Sequence, residues 1–133
     1  MAGMAGDALG EARQRLSNLV DGNGLVVDGN PACRLEEGAA LLGRLLAAAA
    51  GPLHGDGQVP DVSEDDLGAG LGLLTNMRLS LDRLEAQAVM EARRQGMDWR
   101  QIAQHQGLNS SQAASQRYQR LVTRLEEIRQ GVR

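Results

Sequence analysis

The most specific chemistry in this 133-residue chain lies near its C-terminal end. On a helix running from Ser111, the amides of Gln112, Gln116 and Gln119 share one face and Ser115 sits on its edge. Such groups carry the donors and acceptors that read base edges, and Gln pairs bidentately with adenine. Arg117, Arg120 and Arg124 recur at spacings of three and four along a flank, as a phosphate-contacting stripe would. Arg93, Arg94 and Arg100 extend the basic surface. Asn109, Ser110 and Ser111 stand at the helix start, where free backbone amides also meet phosphate.

No comparable set supports catalysis. Neither His105 nor His54 has a Cys or a second His at ligand spacing, so no metal site is expected. Cys33 lacks a neighbouring base, and a single Cys excludes an intrachain disulfide. Glu64, Asp65 and Asp66 read as helix-start charges rather than a catalytic group. A calcium loop opening at Asp21 fails at Leu25 and Val26, where an oxygen ligand and a glycine are needed. Gly68, Gly70 and Gly72 do not form a dinucleotide fingerprint, and no Walker loop is present. The reading is a binding protein without catalytic residues or cofactor.

The elements that position the glutamines and arginines are a short helix over 99–106 capped by Asp98, a turn at Gly107, and a second helix over 111–130 capped by Asn109 or Ser110. Ala103 is small where the second helix crosses it, and Ile102, Leu108, Ala114 and Tyr118 form the wedge between the two. Ala114, Tyr118, Leu121, Leu125 and Ile128 make up the buried face of the second helix.

This pattern resembles the small actinobacterial helix-turn-helix proteins. The residues that carry the likeness are Trp99, Ile102, Ala103, Gly107, Ser110, Gln112, Ala113, Ala114, Arg117, Tyr118, Arg120 and Leu121. More distantly it is similar to region 4 of bacterial sigma factors. The likeness covers about a third of the chain, residues 81–125, and departs at Gln106, where the family places a Leu before the turn glycine. It implies double-stranded DNA as partner, with the second helix in the major groove.

Upstream, apolar residues recur at Leu67, Leu71, Leu74, Met77, Leu81, Leu84 and Ala88, with a mean interval of about 3.5 residues. They predict a long helix over 63–95 and a homodimer seam. The competing reading is an ordinary core helix folded against a helix over 35–50. Residues 1–34 are glycine-rich and read as weakly ordered, with a short helix over 7–20 and a hairpin through 25–27. The predicted organisation is therefore an all-α fold with an N-terminal segment (1–34), a helical dimerisation region (35–95) and a DNA-binding helix-turn-helix unit (96–133).

Composition agrees with this reading. Aromatic residues form 2% of the chain, against 42% hydrophobic residues dominated by Leu and Ala, which favours helices over a β-sandwich. All 14 basic residues are Arg, which fits GC-rich, actinobacterial coding. The net charge of −3 hides an asymmetry of −7 over residues 1–70 and +4 over 71–133. A basic half suits a polyanion. Residues 1–10 lack a signal-peptide pattern, and the apolar run over 45–50 is too short to cross a bilayer. A cytoplasmic, nucleoid-associated protein without a membrane partner is expected. The alternative is a protein-interaction module that docks on a sigma factor or another transcription protein. An effector-sensing regulator would need a ligand pocket in 1–60, and the residues there suggest none.

Overall fold

The computed structural model describes residues 2–20, 30–51 and 62–131. They form five α-helices, α1 (Ala2–Val20), α2 (Pro31–Ala49), α3 (Glu64–Arg94), α4 (Trp99–Gln106) and α5 (Ser111–Arg129), and no strand. The hairpin expected at 25–27 lies outside the described residues.

Among the described residues α1 has no packing contact with another helix, and Leu9, Leu16 and Leu19 along it are exposed. α2 begins at Pro31, four residues before the start predicted from apolar spacing. The Asn30 side chain accepts from the Ala32 amide at 2.8 Å, and proline at the first helical position gives up no hydrogen bond. An Asn-Pro pair suits a turn as well as a helix start, and here it is a helix cap.

α3 starts where its acids predict. Ser63 Oγ accepts from the Asp66 amide, and the Asp66 carboxylate accepts from the Ser63 amide, which closes a capping box. It spans about 46 Å at 1.5 Å per residue. Two different faces of this rod are covered. Its N-terminal half runs antiparallel to α2 at close range. An added Cβ on Gly38 of α2 would sit 2.9 Å from Met77 Cγ, and one on Gly70 of α3 would sit 2.7 Å from Leu45 Cδ2. Glycine is what lets these backbones approach.

The C-terminal half of α3 packs instead on α4 and α5. Val89, Ile102, Ala103 and Ala114 form the buried cluster, with Ala92, Met97, Trp99, Leu108 and Tyr118 around it. The expected wedge is present, but α3 supplies one side of it. The α5 face is buried at Ala114 and Leu121 and half-buried at Tyr118 and Leu125, while Ile128 at its far end is exposed.

The seven-residue seam is thereby divided. Leu74, Met77 and Leu84 are half-buried within the chain, whereas Leu67, Leu71, Leu81 and Ala88 are exposed. α2 takes some of the apolar surface of this helix, as the core-helix reading expects, and Leu67, Leu71, Leu81 and Ala88 are left open. No helix among the described residues is long and apolar enough to cross a membrane.

Candidate nucleic-acid interface

Local hydrogen bonds build the α4–turn–α5 unit. Asp98 Oδ1 accepts from the Gln101 amide at 2.8 Å, and Gln101 Oε1 accepts from the Asp98 amide at 2.9 Å. At the other end of α4 the Leu108 amide donates to the Ala103 carbonyl at 2.8 Å and the Gly107 amide to Gln104 at 3.2 Å. This is a Schellman ending, and it needs Gly107 at φ +71°. Gly96, at φ +98°, ends α3 in the same way through Met97 to Ala92 and Gly96 to Arg93. Ser110, not Asn109, caps α5: its Oγ accepts from the Ala113 amide at 3.0 Å. Trp99 lies 5.7 Å from Tyr118 at a 44° tilt and fastens α4 to α5.

The residues predicted to meet DNA separate into two groups. Gln112, Gln116, Gln119 and Arg120 are exposed on α5, as are Asn109, Ser110 and Ser111 around its start, with Ser115 half-buried at the edge. Arg100 is exposed on α4. Thr123 continues the glutamine face by one turn; its spacing from Gln116 and Gln119 carries that signal in the sequence.

The remaining arginines are engaged within the chain. Arg117 donates from Nε to Glu85 Oε2 at 2.7 Å and from Nη2 to Glu85 Oε1 at 2.9 Å. Arg124 Nη1 donates to Asp82 Oδ2 at 3.1 Å. Two members of the expected three-arginine stripe thus turn back onto α3, and Arg120 alone remains unpaired. Arg94 pairs with Glu91 one turn before it. Arg93 donates to the Met97 carbonyl at 3.0 Å and lies 4.9 Å above the Trp99 ring, so it braces the α3–α4 corner.

Glu85 is the hub of this arrangement. The Arg117 hydrogen bonds hold its carboxyl below the usual range, outweighing the opposing effect of desolvation, and the charge of Arg117 and a Gln106 hydrogen bond add to the effect. The Arg117 guanidinium is correspondingly raised by Glu85. Gln106 Nε2 donates to Glu85 Oε2 at 3.4 Å, while its Oε1 is buried without a partner. A pocket of about 180 Å³, lined by Glu85, Val89, Ala92, Met97, Ile102 and Gln106, opens beside it. Gln106 thus lines an open apolar pocket and makes a polar tie to α3.

Among the described residues no group of three His, Cys, Asp or Glu is placed to hold a metal. His105 is exposed in the last turn of α4, and His54 lies outside the described residues. Cys33 is half-buried and unpaired, on an open groove between α2 and α3 whose other walls include Arg34, Glu37, Leu41, Leu73 and Asn76. No protein-family model, curated protein or solved structure matches the chain. The likeness to helix-turn-helix proteins therefore rests on the residues of the α4–α5 unit alone.

Proposed function

We propose that this chain is a double-stranded DNA-binding protein, a transcription regulator or nucleoid-associated protein, that inserts α5 into the major groove and acts as a homodimer. One observation carries the reading. α5 packs on α3 and α4 through Ala114, Tyr118 and Leu121, so its opposite face presents Gln112, Gln116, Gln119 and Arg120 to solvent as a group. A short capped helix, a glycine turn and a second helix with an amide-rich outer face make a base-reading unit. Arg100 and Arg120 supply phosphate contacts at its margins. The exposed Leu67, Leu71, Leu81 and Ala88 stripe on α3 forms the dimer contact, and two units on a two-fold dimer read half-sites about 34 Å apart.

The test is selection of binding fragments from mixed genomic DNA, followed by footprinting with Gln112→Ala, Gln116→Ala and Gln119→Ala. Loss of discrimination at particular base pairs while general affinity is kept supports the reading. Unchanged discrimination in all three variants removes α5 from the groove.

A second reading, docking on a transcription protein, draws on the α3–α5 ion pairs. With Arg117 and Arg124 neutralised, the unit presents less positive charge than its sequence suggests. Capture of a sigma factor or regulator by a chain that binds no DNA at low salt favours this alternative.

A further inference from the structure

Glu85 and Asp82 hold two of the arginines that the reading above, on which this inference rests, would offer to DNA phosphates. We propose that these two carboxylates act as built-in phosphate mimics: they hold Arg117 and Arg124 away from DNA and leave phosphate contact to Arg100 and Arg120. The geometry favours this role over an incidental surface pair. Arg117 meets Glu85 through two parallel hydrogen bonds, the fork arrangement that guanidinium also makes with a phosphate group. Both acids project from α3, the rod that carries the unit, and their partners lie 32 and 42 residues away.

The acid side is the more buried half of each pair. Side-chain exposure is 20% for Glu85 and 22% for Asp82, against 52% for Arg117 and 58% for Arg124. The guanidinium groups therefore face solvent beside Arg120 on the same flank of α5, within reach of a polyanion once released. Gln106 holds Glu85 from behind. From α3 these arginines meet the two acids, and Arg78 lines the same groove as Asp82 and Arg124. Removing the acids converts two cancelled charges into two free cations beside the proposed base-reading face.

The experiment compares wild-type protein with Asp82→Asn, Glu85→Gln and the double variant, titrated against a mixed-sequence duplex over a range of salt. Glu36→Gln, the same charge change on an exposed position of α2, is the control. Each phosphate gained steepens the dependence of log K on log salt by about 0.9, so with two arginines released in each copy of the proposed dimer the double variant is expected to be steeper by about 3.6 and at least about tenfold tighter at low salt. Asp82→Asn alone, whose carboxylate has Arg124 as its hydrogen-bond partner, is expected to add about 1.8 across the dimer. Circular dichroism checks each fold, and Asp82→Asn carries the test should Glu85→Gln unfold. Folded variants that bind like wild type, or more weakly, with an unchanged slope overturn the mimicry and leave DNA binding standing. Absence of binding by wild type and all variants at the lowest salt overturns both. A gain equal to that of Glu36→Gln reduces the effect to net charge and also overturns it.

Discussion

Arg117 and Glu85 are 32 residues apart in the chain and meet at 2.7 and 2.9 Å through two hydrogen bonds. Together with Arg124 and Asp82, at 3.1 Å, this pair ties the outer helix of the unit to the long helix beneath it. The same side chains that read in sequence as a phosphate stripe thus orient the proposed recognition helix on its support.

The pair makes stability depend on acidity. Arg117 holds the Glu85 carboxyl below its ordinary value of 4.5, so the folded state favours the ionised form. That stabilisation is present above the unfolded value and is lost as pH falls through the lower, folded value. Because Arg117 is half exposed, the effect is screened and amounts to about 1 kcal/mol or less. Glu85→Gln is expected to lower stability at neutral pH, with the difference from wild type shrinking in acid. Urea melts at pH 7 and below pH 4 check this.

Packing where α5 crosses α4 tolerates little added volume. Ala114 is 1% exposed between Ile102, Ala103 and Val89. Ala114→Leu is expected to cost about 1–3 kcal/mol through overpacking. Gly107→Ala adds a Cβ that meets nothing within 4 Å but must adopt φ +71°, for about 1 kcal/mol. Denaturant melts measure both, and Gly107→Asn is expected to cost less than Gly107→Ala.

Glycines in the α2–α3 hairpin serve different ends. Nothing lies within 4 Å of a Cβ added at Gly43 or Gly72, so alanine there is expected to stabilise by about 1 kcal/mol each through helix propensity. Gly38 faces Met77 Cγ at 2.9 Å from an added Cβ, and Gly38→Leu is expected to force α2 away from α3. Thermal melts of the three variants should move in opposite directions.

The proposed dimer has its own check. Leu71 is 67% exposed and Leu81 53% exposed in the single chain, so Leu71→Asp and Leu81→Asp remove no intrachain core. Both are expected to leave helicity intact and shift a dimer to monomer in sedimentation equilibrium. A wild-type monomer at all concentrations removes the seam from the account.

Legibility in the sequence follows the range of the interactions. Ser63, Asp98, Ser110 and Gly107 were readable because a cap or a left-handed turn depends on residues three to five positions away. The start of α2 at Pro31 is not legible, since an Asn-Pro pair suits a turn or a helix start, and apolar spacing does not begin until Leu35. The exposed glutamine set on α5 follows from helical period. What period could not disclose is which flank an arginine turns to. Arg117 and Arg124 share their spacing with Arg120, and only the fold brings Glu85 and Asp82 beneath them. The split of the α3 seam has the same origin: one apolar stripe suits either α2 or a second copy, and the chain uses part of it on itself.

The central claim is that the outer face of α5 meets DNA. A titration of the full chain against mixed double-stranded DNA at several salt concentrations, with Arg120→Glu in parallel, tests it most directly. The account predicts a linear fall of log K with log salt whose slope, divided by about −0.9, corresponds to four or more phosphates across a dimer, two from each copy of Arg100 and Arg120. It also predicts loss of binding in a folded Arg120→Glu variant. No binding by wild type at low salt, or full binding by Arg120→Glu, would contradict it.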